Sequence, residues 1–144
     1  MPPRDALFWD GVSWATRMLL VIPHLIFGVI AILRPNVPLL YQGYSAFDDA
    51  FAFSLWGLWH LGAAFLLLVV PTRVPFGLFS TLASGFLSFF TGAVFSIGGG
   101  LLFGGVIFYA YGALAGALFM RSLWLYMVRV GWFRRHVMRK GPHA

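Results

Sequence analysis

Two histidines, His24 and His60, are the residues of this chain best suited to chemistry, because each stands near the middle of a long apolar run. His24 lies within the uncharged stretch Met18–Leu33 and His60 within Phe51–Val70. Imidazole changes charge near neutral pH, which suits it to proton transfer, and its nitrogens also ligate haem iron. An ionisable group in a membrane-length apolar segment is a functional candidate by default. Three chemistries are open to the pair. One is a neutral contact, between the histidines or with Trp56 and Trp59, that fixes helix register. The others are proton sensing or conduction, and bis-histidine haem ligation in a helical bundle. The favoured expectation is that both histidines are neutral and hydrogen-bonded locally, with no cofactor. Haem needs a slot between helices, and Trp56 shares the helical face of His60 and would fill it.

A second pattern is a strip of small and hydroxylated residues. At 100° per residue, Gly77, Thr81, Ser84, Ser88, Thr91 and Gly92 fall within an arc of about 100° on one helix. The next helix answers with Gly105, Tyr109, Gly112 and Gly116, which includes a Gly-xxx-Gly spacing. In lipid, small residues let helix backbones approach closely, so these faces serve either hairpin packing or self-association. The hydroxyls of Thr81, Ser84 and Ser88 can also line a narrow polar path, although such groups often bond to the backbone one turn back. A third stripe is shorter. Asp10, Arg17 and His24 are seven apart and Gly28 follows four later, which puts them within about 40° on one face, a face expected to meet protein.

Nothing in the sequence marks an enzyme. The only acids are Asp5, Asp10, Asp48 and Asp49, there is no Glu, and there is no Cys. Paired-carboxylate catalysis, zinc-protease motifs and phosphate-cradling loops are absent. Metal and catalytic sites are therefore not expected.

The elements that carry these residues are membrane-length. The 144 residues are 60% hydrophobic and 10% charged, with a mean hydropathy of +0.86. Soluble domains are about one quarter charged. No Asp, Glu, Lys or Arg occurs between Arg73 and Arg121, and a soluble domain of this size cannot hide such a stretch. A span needs about 20 apolar residues, so one all-α domain is expected, a bundle of four antiparallel transmembrane helices. The expected boundaries are an amphipathic lead-in at 1–16, spans at 17–34, 46–70, 74–97 and 101–121, and a basic tail at 122–144. Pro23 should kink the first span. Arg17 and Arg34 should snorkel to its two interfaces. The loop Arg34–Tyr44 follows, and Ser45 with Asp48 resembles a capping box for the second span.

Charge sets the orientation. Arg4, Arg17, Arg73 and the six basic residues from Arg121 onward fall on one side, against Arg34 with Asp48 and Asp49 on the other. Both termini are expected in the cytoplasm. Arg129, Arg134, Arg135, Arg139 and Lys140 are interleaved with Trp132 and Phe133, which suggests contact with anionic lipid headgroups rather than nucleic acid.

The order of features in residues 54–125 resembles small, holin-like membrane proteins of tailed-phage genomes. It runs from Leu55-Trp56-Gly57-Leu58-Trp59-His60-Leu61 through a Pro-Thr-Arg link and a Ser/Phe-rich helix. It closes with Tyr111-Gly112-Ala113-Leu114-Ala115 and Arg121-Ser122-Leu123-Trp124. The resemblance implies a non-enzymatic accessory protein of a bacterial inner membrane that forms homo-oligomers or joins other membrane subunits. With the strip above, it makes association through the third and fourth spans the favoured function. A haem-carrying or proton-handling subunit using His24 and His60 is the alternative.

Overall fold

In the computed structural model the described residues are 4–71, 74–99 and 104–129, with no side-chain detail for 4–12, Ala50 and Arg129. Every regular element among them is helical. In chain order these are α1 (Arg4–Leu33), α2 (Val37–Leu40), a 3-10 turn (Gln42–Tyr44), α3 (Phe47–Ala50), α4 (Phe53–Val69), α5 (Pro75–Ile97) and α6 (Val106–Arg129). Three segments are long and apolar enough to cross a membrane: Ser13–Leu33, Pro75–Ile97 and Val106–Val128. With 17 residues, α4 falls short on its own and reaches that length only together with Gln42–Asp49, which meets it at 89°.

The lead-in and the first span lie on one helix, with Pro23 inside it. One expectation about this span needs correcting. Arg17 does not snorkel. It is buried, and its Nη2 donates to the carbonyl of Val70 at the end of α4. A cation there faces the negative end of the helix dipole and the last unpaired carbonyls.

The second span is also not the continuous helix 46–70. Phe51 and Ala52 are extended (φ −153° and ψ 152°; φ −51° and ψ 134°), and they separate α3 from α4. Side chains satisfy the backbone at this break. Asp48 Oδ1 accepts the Phe53 N–H at 2.9 Å, and Trp56 Nε1 donates to the Phe47 carbonyl at 3.1 Å. Ser45 is not the cap, since its hydroxyl donates to the Gln42 carbonyl. Asp48 therefore starts α4. Asp48→Ala is expected to lower stability in detergent by about 1 kcal/mol, the usual worth of such a cap. Asp49→Ala, at a neighbour that is equally exposed but does not accept the Phe53 N–H, should stay within roughly 0.5 kcal/mol. Equal thermal midpoints for the two variants would contradict the capping role.

The long helices pack as two pairs, α1 with α4 and α5 with α6, which meet along α4–α5 and α1–α6. Bare backbone permits the close contacts. A Cβ at Gly57 would lie 2.9 Å from both the Gly28 carbonyl oxygen and the Ala31 Cβ. On the other pair, a Cβ at Gly92 would lie 3.2 Å from the Gly105 carbonyl oxygen.

Polarity is inverted relative to a soluble protein. Ile22, Ile26, Phe65, Phe79, Phe86 and Phe90 are exposed, while His24, His60, Thr81, Ser84, Ser88 and Thr91 are buried. Such a surface suits hydrocarbon, and polar groups then belong inside. The core has an aromatic end (Phe27, Phe47, Phe53, Trp56, Phe95, Phe108) and an aliphatic end (Leu20, Val21, Ala64, Leu67, Leu118). On α1 and α4 the histidines fall between the residues of these two clusters.

Candidate functional site

His24 on α1 and His60 on α4 are 1% and 0% exposed, and their Nδ1 atoms are 2.8 Å apart. At that distance one ring donates an N–H to the lone pair of the other. The outer nitrogens are also engaged, both by hydroxyls of α5. His24 Nε2 pairs with Ser84 Oγ at 2.7 Å, and His60 Nε2 pairs with Thr91 Oγ1 at 2.9 Å. The result is an unbroken hydrogen-bonded chain, Ser84–His24–His60–Thr91. Its two ends are seven residues apart on α5, about 10 Å along the helix axis.

Local sequence explains the arrangement. Arg17, His24 and Gly28 share one face of α1 by their spacing, and Gly28 meets Gly57 where α1 and α4 touch. His60 follows Gly57 by three residues, so the close crossing carries its ring toward His24. Ser84 and Thr91 are two turns apart on α5 and present their hydroxyls at matching heights. Phe27 lies 4.4 Å from the His60 ring between centroids, and Phe108 stands edge-on at 5.6 Å. No carboxylate among the described side chains bonds either imidazole.

Further hydroxyls extend the polar line along α5. Ser80 and Thr81 donate to the Gly77 carbonyl, and Ser96 donates to the Gly92 carbonyl while lying 3.3 Å from Tyr109 Oη. Ser88 is buried and its Oγ has no partner. From Ser80 to Ser96 the line covers about 24 Å of helix rise. A cavity of about 360 Å³ is lined by Tyr44, Gly104, Phe95 and Phe108, among others. Phe108 touches it on one side and His60 on the other.

The strip read from the sequence divides between two neighbours. Gly77, Thr81, Ser84 and Ser88 are buried, but Ser84 and Thr91 turn to the histidines instead of α6. Gly105 and Gly112 are buried against α5, Tyr109 packs on Phe89, and a Cβ at Gly116 would meet open space. Within the chain these faces pack α5 against α6 and, through Ser84 and Thr91, α5 against the histidines. Arg134, Arg135, Arg139 and Lys140 lie outside the described residues, and of Arg129 only the backbone is described. Sequence reasoning did not find Gly57 or the Arg17–Val70 contact. Each depends on how two helices are rotated against each other, and no spacing within one helix reveals that.

The pair does not fit haem. Two imidazoles on opposite sides of one iron need nitrogens about 4 Å apart, twice an ordinary metal–imidazole distance of about 2 Å. The facing nitrogens here are 2.8 Å apart and the outer ones are held by Ser84 and Thr91. Fold and site together define, among the described residues, an all-helical protein with three membrane-length helices and a buried, hydroxyl-terminated imidazole pair. No family model, no curated protein and no solved structure matches it.

Proposed function

We propose that the chain is a non-enzymatic, proton-handling integral membrane protein. In this reading it crosses the bilayer four times, with α3–α4 as a broken second span and both termini cytoplasmic. The observation that carries it is the chain Ser84–His24–His60–Thr91. A neutral chain of this kind has two equivalent states. In one, Ser84 donates to His24, His24 to His60, and His60 to Thr91. In the other, every donor and acceptor is exchanged. Passing between them moves a proton by one bond at each link, so a proton taken up at one end is released at the other. Imidazole is the side chain whose unperturbed affinity suits this near neutral pH. The polar line from Ser80 to Ser96 covers most of a hydrocarbon core of about 30 Å.

The test is proton flux into vesicles carrying the purified chain, driven by a potassium-diffusion potential and read with an internal pH dye. Flux above that of protein-free vesicles is expected, and flux equal to theirs would sink the reading. Topology is tested separately. Reporters fused after Gly43 and Gly99 should read as external, and those after Thr72 and at Ala144 as cytoplasmic. A reporter after Thr72 that reads as external would exclude a crossing by α4.

A second reading is self-association, favoured by an open groove between α5 and α6. It has a volume of about 100 Å³ and is lined by Leu82, Gly85, Phe86, Phe89, Gly112 and Gly116. Anionic lipid bound by the tail from Arg129 to Lys140 would assist such assembly. The chain has no native cysteine, so Gly116→Cys reports alone. Disulfide-linked dimers in native membranes are expected if the groove receives a second copy, and monomer throughout would remove this reading. Release of a trapped dye from the vesicles would identify a holin-like form of it.

A further inference from the structure

Counting hydrogens on the four ring nitrogens shows what the site can hold. The contact between the two Nδ1 atoms needs one hydrogen between them. With none, two lone pairs would face each other at 2.8 Å. With two, the hydrogens would stand roughly 0.8 Å apart, since each N–H is about 1 Å long. The bridge therefore carries one hydrogen in every state that keeps this geometry.

We infer that the His24–His60 pair is a binding site for a single proton, an inference that deepens the proton-handling reading and rests on it. In the neutral pair two hydrogens occupy the rings, one in the bridge and one on either Nε2. The remaining Nε2 accepts from Ser84 or Thr91. An added proton takes that last bare nitrogen. Both Nε2–H groups then donate, to Ser84 Oγ and Thr91 Oγ1, and each hydroxyl turns its own hydrogen to a carbonyl one turn back on α5. Every donor and acceptor in the chain is satisfied, and one positive charge is shared across the bridge.

A second added proton has only the bridge left to enter. It would force the two Nδ1–H groups apart, against the close crossing of α1 and α4 that Gly28 and Gly57 permit one turn away. The surroundings favour a single charge as well. Neither α4 nor α5 carries an Asp, Glu, Lys or Arg. On α1 the nearest charged group of that face is Arg17, two turns away, which repels a cation. The charged groups of α6 are Arg121 and Arg129, both in its last turns. Asp48 is engaged at the start of α4 by the Phe53 N–H. The groups turned to the pair from α1 and α6 are the uncharged rings of Phe27 and Phe108, which offer no counter-charge for a second proton. Protons therefore pass singly, one charge per reversal of the chain.

The experiment uses the full chain, ¹⁵N-labelled at histidine, in lipid nanodiscs. Nitrogen NMR reads the bridge directly as a scalar coupling between the two Nδ1 nuclei. Acid titration counts proton uptake against His24→Leu/His60→Leu, which retains the tail residues His136 and His143 as the blank. The expected result is a coupling that persists on acidification and a difference in uptake of one proton per chain. A difference of two, a difference of none, or a coupling lost on acidification would each overturn the inference. If the double variant does not fold, the coupling in the wild-type chain decides alone. Vesicle flux separates this from the broader reading. One-proton uptake without flux removes the proton-handling function and keeps the site, whereas flux with two-proton uptake does the reverse.

Discussion

Replacing His60 by alanine is expected to abolish proton flux and to destabilise the chain by about 3–5 kcal/mol, at the upper end of single-site effects. The substitution leaves His24 Nδ1 buried without a partner, while the Thr91 hydroxyl can turn to a carbonyl of α5. The orphaned nitrogen costs about 1–3 kcal/mol, and the void beside Phe27 and Phe108 adds to that. The double variant His24→Leu/His60→Leu separates stability from function. It removes both imidazoles together, so no ring nitrogen is orphaned, and Ser84 and Thr91 can return to carbonyls of α5. It is expected to be more stable than His60→Ala and equally silent in the flux assay. Thermal unfolding in detergent and vesicle flux measure the two effects. A His60→Ala chain as stable as wild type would contradict the buried pair, and undiminished flux in the double variant would contradict its function.

Gly57→Val should have an effect of similar size without touching either histidine. Its Cβ would lie 2.9 Å from the Gly28 carbonyl oxygen, from the Ala31 Cβ and from Ile32 Cγ1. The clash starts at the first side-chain atom, and two of its partners are backbone and Cβ, so no rotamer change relieves it. Helices α1 and α4 must move apart by several tenths of an ångström or more, and the Nδ1–Nδ1 bridge one turn away opens with them. A loss above about 3 kcal/mol, together with loss of flux, is expected, since close approach is what holds helices together in lipid. Gly62→Val is the control. It lies on the same helix and its Cβ would meet nothing within 4 Å. Similar thermal midpoints for the two valine variants would show that the α1–α4 crossing is not tight.

The sequence by itself determined the helical, membrane-length character of the chain. Composition and the uncharged run between Arg73 and Arg121 are local quantities, and hydrocarbon solvent demands helices of a certain length. The spacing of Arg17, His24 and Gly28 likewise marked a face of α1 that turns inward, because a helical period is a property of one segment. Only the tertiary structure decided which surfaces meet. In lipid no hydrophobic gradient tells one apolar face from another, so rotation about each helix axis is set by the contacts it finds. The strip on α5 was legible as polar and small, yet nothing in its spacing said that Ser84 and Thr91 would turn to the histidines and not to Gly112. The break at Phe51–Ala52 was hidden for a related reason. Both residues tolerate a helix, and extended backbone holds there because Asp48 and Trp56 bond the freed groups on either side. Arg17 read as a snorkelling side chain because its partner, the Val70 carbonyl, is 53 residues away in sequence and adjacent only once α1 lies against α4.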